Sequence, residues 1–180
     1  MNILDEAIKI LEKGGIILYP TDTIWGIGCD ATNNIAVSKI YDIKKRNESK
    51  ALITLIANKQ QLKKHTKIIV QKTKNKKPTT IIYPNVKGLA NNLLANDNSA
   101  AIRIVQHEFC KKLILQFKKP IVSTSANISG EKYPRKFSEI KKEIIQSVDY
   151  IVPLQKENET EQPSSIIQVD HSGMIIKTIR

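Results

Sequence analysis

Cysteine is scarce in this chain of 180 residues, with only Cys29 and Cys110 present. Two thiols make no disulfide framework, and neither has metal-ligand spacing to the other or to His65, His107 or His171. No zinc centre is expected, and both thiols are expected to be reduced. Aromatic residues make up 5% of the sequence, too few to supply the stacking platforms on which proteins hold single-stranded nucleic acid. Long apolar runs are also missing: 16–19 and 102–105 fall far short of the roughly 20 residues that cross a bilayer. The opening MNILDEAIKILEK places acids early and lacks the basic-then-apolar plan of a signal peptide. A cytoplasmic protein without membrane contact is expected.

Arginine is rare as well, with four residues against 25 lysines, while Ile (30) far outnumbers Leu (12) and Asn reaches 13. The net charge of +12 has two readings: a surface that displaces counterions from RNA phosphates, or AT-rich codon usage drifting lysine onto solvated faces. The same skew makes each remaining arginine informative. Arg46, Arg103, Arg135 and Arg180 are candidates for forked binding of carboxylate or phosphate, which lysine cannot reproduce.

What is present is ordinary globular composition, 41% hydrophobic and 26% charged, at a length near the usual one of about 150 residues per domain. Apolar spacing predicts a helix from Ile3 to the Gly14-Gly15 stop, then helices over 33–45, 58–64, 107–117 and 138–147. Short apolar or β-branched runs predict strands at 16–19, 52–56, 79–83, 100–105, 121–124, 150–152, 165–169 and 175–179. Residues 21–30 read as a loop, 67–77 as a lysine-dense stretch, and 155–162 as an acidic, polar connection. The alternation specifies an α/β fold: one domain spanning 1–180, with a twisted mixed sheet flanked by helices and no second domain.

Four segments carry candidate chemistry. YPTDTIWGIGCDA (19–31) follows a strand and precedes a helix, a favoured ligand position in α/β proteins; it matches neither a Walker A loop nor a dinucleotide fingerprint. Its two readings are a binding loop and a glycine turn with Trp25 in the core. KKRNESKALITLI (44–56) puts Lys44, Arg46 and Lys50 between a helix and a strand. They either complement the helix dipole or, if the segment is extended, grip one polyanion, with Lys44 and Arg46 on the same side. STSANISG (123–130) gathers short hydroxyls after a buried strand, as a turn cluster or as donors to a ligand. PSSIIQV (163–169) opens a strand on two hydroxyls, and Arg103 lies within the apolar strand AAIRIV, facing either an edge or a site.

Taken in order, these segments resemble the Sua5/YciO/YrdC family, in its short form, over almost the whole chain. The resemblance implies threonylcarbamoyl-AMP synthesis, a nucleotidyl transfer that joins L-threonine, bicarbonate and ATP and releases pyrophosphate. The product would pass to a downstream threonylcarbamoyltransferase for t6A modification at position 37 of tRNA, and weak tRNA binding is compatible with the charge. Carried over by motif, Thr23, Arg103, Ser123 and Ser164 are the implied threonine contacts. Arg46, Lys50, Ser99, Ser125, Asn127, Tyr133 and Arg180 are the implied ATP contacts, with Lys44 and Arg46 as the catalytic cations. Mg²⁺ is expected to arrive with ATP, held mainly by the phosphates and with few protein ligands. The sequence departs from the family pattern at Ala51, Leu55 and the lysine-rich KKPTT. Two other functions remain open: a non-catalytic RNA-binding module, and related carbamoyl-adenylate chemistry fed by carbamoyl phosphate.

Overall fold

The computed structural model describes residues 2–46, 51–70, 77–157 and 162–180. Asparagine starts three of its helices. The side-chain oxygens of Asn2, Asn33 and Asn58 accept backbone N–H groups at the first turns of α1 (Ile3–Glu12), α2 (Asn34–Ile43) and α3 (Lys59–Leu62), which satisfies donors the helix itself leaves unpaired. The fourth helix, α4 (Glu108–Phe117), ends on Lys118 in the left-handed region. A fifth, α5 (Lys142–Gln146), is short.

The strands are β1 (Ile17–Tyr19), β2 (Gly26–Gly28), β3 (Ile53–Ile56), β4 (Thr79–Tyr83), β5 (Ala100–Ile104), β6 (Ile121–Ser125), β7 (Tyr150–Ile151), β8 (Ser165–Val169) and β9 (Ile175–Thr178). They form one sheet in the order β7-β1-β2-β6-β3-β5-β4-β8-β9. The pairs β1/β7, β3/β5 and β4/β8 are parallel and the rest antiparallel, so the sheet is mixed, as the alternation of elements implies. Helices α1 and α4 bury Ala7, Leu11, Leu113 and Ile114 against Ile17, Leu55 and Ile121 on one face. Helix α2 buries Ala36, Val37 and Ile40 with Leu18, Ile102 and Val122 on the other. Period-2 alternation therefore sends successive residues of the central strands to opposite cores, while β9 is exposed along its length.

Two expectations need correction. Residues 21–30 are not all loop, because Gly26–Gly28 forms β2, hydrogen-bonded between β1 and β6. Its glycines suggest a turn in the sequence, yet close packing requires one of them: a Cβ on Gly28 would lie 2.0 Å from the Val122 carbonyl oxygen. The continuous helix expected over 138–147 is broken into a 3₁₀ turn, Phe137–Glu139, and α5, with Ile140 and Lys141 extended between them. The break places Phe137 against Trp25, ring centroids 5.2 Å apart, and lets both Ile140 and Ile144 enter the core. Most of the lysine-dense stretch beyond residue 70, and the centre of the acidic connection at 158–161, lie outside the described residues.

Candidate active site

The site grows from β5, whose neighbours in the sheet are β3 and β4. Arg103 pairs in register with Leu55, so it shares the face of the α1/α4 core, but lies where a cavity replaces helix packing. Its side chain is 3% exposed. A lone buried cation is costly, and Asp22 offsets it: Arg103 Nη2 lies 3.1 Å from Asp22 Oδ1, while Asp22 Oδ2 accepts from the Gln106 N–H. Arg103 Nη1 donates to Thr23 Oγ1 at 3.3 Å. Its Nε is buried with no partner among the described residues, a donor left for something that enters the cavity.

Short hydroxyls surround this guanidinium. Thr21 Oγ1 lies 3.0 Å from Thr23 Oγ1 and donates to the Ile24 carbonyl, so local side-chain bonding sets the TDT turn. Ser164 shares a 2.8 Å hydrogen bond with Thr80 of β4, and Ser123 lies in the middle of β6, paired in register with Ile53 of β3. After β6 the chain turns sharply. Asn127 Nδ2 donates to the carbonyls of Ile128 and Glu131, and Ala126 N–H donates to the Trp25 carbonyl at 3.0 Å. Trp25 is thus core, as one reading had it, and it supports the turn that borders the cavity.

Among the described residues the cavity, about 300 Å³, is lined by Thr23, Arg46, Arg103, Ser123, Ser125, Asn127, Tyr133, Ser164 and Arg180, together with apolar Ile53 and Ile166 and one acid, Glu131. Its volume is at the small end of ligand pockets, which run from about 300 Å³ upward. Six separate stretches of described sequence supply its wall: 23–26, Arg46 with 51–53, Arg103, 123–133, 163–166 and Arg180. Arg180 is tied down although it ends the chain. Its carbonyl accepts from Ile166 N–H at 2.9 Å, and its Nε donates to the Ser164 carbonyl at 3.0 Å. Burial and the nearby Arg103 both lower its pKa, a sign that two guanidiniums share one positive field. Arg46 donates from Nη2 to the Ala51 carbonyl at 3.0 Å and is half-buried. The fourth arginine, Arg135, does not line the cavity; it lies on the segment leading to the 3₁₀ turn, its N–H donating to the Glu139 carboxylate.

Several expected site residues fall elsewhere. Lys44 does not line the cavity. It caps α2 in a helical conformation, and Lys45 follows with φ 49°, so the extended geometry that would align Lys44 with Arg46 does not exist. The Lys44 side chain is 1% exposed, and its Nζ donates to the carbonyls of Ser125 and Asn127, both at 2.6 Å. Burial first, then the Arg46 charge, lower its pKa to about 7. Ser99 is also outside the cavity lining. Just before β5, its hydroxyl and N–H both face the Asp97 carboxylate, which they hold below its usual pKa. Lys50 lies outside the described residues.

The sequence reading missed Glu131 on the cavity wall and the pairing of Asp22 with Arg103. An acid in the YPTDT run beside a threonine is a visible signal for the second; for the first, Glu131 directly follows the turn's last glycine. Both cysteines are free and buried, and burial pushes both thiols up, so neither supplies a thiolate nucleophile at neutral pH.

Known proteins are similar to this chain in sequence and fold. The Sua5_yciO_yrdC family, described as "Telomere recombination", matches residues 9–180. A threonylcarbamoyl-AMP synthase of Psychromonas ingrahamii is 38% identical over 135 residues, 71% of each chain. Another, of Pseudoalteromonas translucida, is 34% identical over 168 residues, 89% of each chain. A solved H234A/Y235A variant of P. abyssi Sua5 superposes with a TM-score of 0.80 at 25% identity over 93% of this chain, which spans 54% of that longer protein. With the family match running from α1 through the terminal arginine, the chain belongs to the Sua5/YciO/YrdC family.

Proposed function

We propose that the cavity joins L-threonine, bicarbonate and ATP into threonylcarbamoyl-AMP, releasing pyrophosphate. The observation that carries this reading is the convergence of Arg46, Arg103 and Arg180 with short hydroxyls on one cavity whose wall, among the described residues, holds a single carboxylate. Two relatives that cover most of the chain are named for this product. The threonine amine attacks the carbon of CO₂ derived from bicarbonate, forming the N–C bond and releasing a proton. A carbamate oxygen then attacks the α-phosphorus of ATP; the O–P bond forms as the α–β bridge breaks, and pyrophosphate leaves with the electron pair. Anions must meet at close range, so the barrier is electrostatic and entropic, and fixed cations and oriented donors lower it. No side-chain nucleophile is needed. In this reading Arg103 donates its unpaired Nε–H to the threonine carboxylate, and Thr23, Ser123 and Ser164 read the amine and hydroxyl. Arg46, Ser125, Asn127, Tyr133 and Arg180 face the nucleotide.

Among the described residues no group of three or more His, Cys, Asp or Glu could hold a metal, and Glu131 of the cavity wall is ion-paired with Lys141. That donor set suits Mg²⁺ held mainly by phosphate oxygens and water, where it would neutralise charge on the triphosphate. No helix among the described residues is long and apolar enough to cross a membrane, and the reading places the enzyme in the cytoplasm, supplying a threonylcarbamoyltransferase that modifies tRNA.

Two results test the substrate assignments. A pocket that hydrogen-bonds the threonine hydroxyl rejects analogues that lack it, so 2-aminobutyrate is expected to support adenylate formation at least about 100-fold less efficiently. Equal use of the two amino acids, measured as kcat/KM, would remove the threonine pocket from the account. Deleting Arg180 is expected to weaken ATP binding by roughly 1.5 to 3 kcal/mol, the scale of a hydrogen bond to a charged group, with threonine affinity much less affected. An unchanged Kd for ATP in calorimetry would return Arg180 to a structural tie.

A further inference from the structure

We infer that Lys44 is a positioning residue for the nucleotide half of the cavity: from behind the wall, its side chain clips together the carbonyls of Ser125 and Asn127 and so holds the 125–130 turn in its binding shape. The inference rests on the reading of the cavity as an ATP site. Lys44 ends α2, whose buried residues pack with Ile102 and Val122, on the face opposite Arg103 and Ser123. It therefore reaches the turn from the far side of the sheet. Both acceptors lie 2.6 Å from its Nζ, and the backbone adds a third fastening, with Ser129 N–H donating to the Lys44 carbonyl at 2.9 Å.

The clip has two physical consequences. Two carbonyl oxygens of the turn are drawn onto Lys44 and away from the space a polyphosphate would occupy, where their dipoles would repel it. The turn's shape is also fixed before ligand arrives, which removes reorganisation from the binding step. Asn127 is the residue so placed. Its carbonyl is held by Lys44, its Nδ2 by Ile128 and Glu131, and its Oδ1 is buried with no partner among the described residues. Lys44 and Arg46 thus divide the work within three residues. The left-handed Lys45 sends one side chain behind the wall and the other into the cavity.

The test compares Lys44→Met and Lys44→Arg with the wild-type chain, using calorimetric titration of ATP, steady-state KM values for ATP and threonine, and thermal melts. Lys44→Met is expected to weaken ATP binding and raise its KM at least tenfold while leaving the threonine KM within twofold. Lys44→Arg, which keeps donors for both carbonyls, is expected to recover most of that loss. A purely structural lysine would lower the melting temperature without separating the two KM values, and that result overturns the inference. So does Lys44→Met binding ATP as tightly as wild type, which leaves the functional reading intact. If Lys44→Met fails to fold, Lys44→Arg carries the test: it must fold and retain the wild-type KM for ATP within tenfold, and unfolding of both variants makes Lys44 a stability residue only. Absence of ATP binding by the wild-type chain would instead strike down the functional reading, and this inference with it.

Discussion

Arg46→Ala is expected to lower kcat for adenylate formation by about 100-fold or more, the usual cost of removing one preorganised charge from a transition state, while the chain stays folded. Arg46 faces the cavity and is half-buried. Its bond to the Ala51 carbonyl is exposed, so losing that bond costs about 1 kcal/mol or less. The developing charge lies on the α-phosphorus oxygens and the departing pyrophosphate, and a forked guanidinium can meet two oxygens at once. Arg46→Lys keeps the charge and loses the fork, so its rate should fall between the two. Steady-state kinetics alongside a thermal melt separate the outcomes. Near-wild-type turnover in Arg46→Ala would show that this arginine stabilises no reacting charge.

The largest stability effect is expected at Gly28. An alanine Cβ there would sit 2.0 Å from the Val122 carbonyl oxygen and 2.9 to 3.0 Å from the ring and hydroxyl of Tyr19. Tyr19 cannot simply swing aside, because it is fully buried and its hydroxyl donates to that same carbonyl at 2.9 Å. Strands β2 and β6 would have to separate in mid-sheet, at a cost on the order of 3 kcal/mol or more. Gly130→Ala is the contrast: nothing lies within 4 Å of its Cβ, although its φ of +91° strains any side chain, and the expected cost is about 1 kcal/mol. Urea denaturation of the two variants checks the order. Equal midpoints would mean that the close approach at β2 does not constrain the sheet.

Most strands were legible because each is a short apolar or β-branched run closed by proline, glycine or a polar cluster, and burial on both faces leaves such a run little alternative. β2 escaped this logic: a Gly-Ile-Gly strand has almost no side-chain signal, and its glycines are present because neighbouring backbones leave no room. The helix expected over 138–147 had a sound period, but Phe137 and Ile140 gain more by reaching Trp25 and the core than the backbone loses by breaking. In the site, Thr23 after β1, Arg103 within β5, Ser123 within β6 and Ser164 just before β8 all line one cavity, a convergence that the sheet order produces and that no single segment displays. Lys44 was misplaced for a definite reason. Its pairing with Arg46 assumed extended backbone, and one left-handed residue between them sends the two side chains to different sides of the wall. Ser99 and Asp22 could not be placed from sequence, because their partners, Asp97 beside one and Arg103 far along the chain from the other, are set by local turn geometry and by the sheet.

The most direct test of the account is the initial rate of pyrophosphate release from ATP by the purified chain, measured complete and with threonine or bicarbonate left out in turn. Release that requires both co-substrates, accompanied by a nucleotide product carrying label from ¹³C-bicarbonate, is the expected result. Release that continues undiminished without threonine, or no release from the complete mixture, would contradict the assignment of the arginine-lined cavity to threonylcarbamoyl-AMP synthesis.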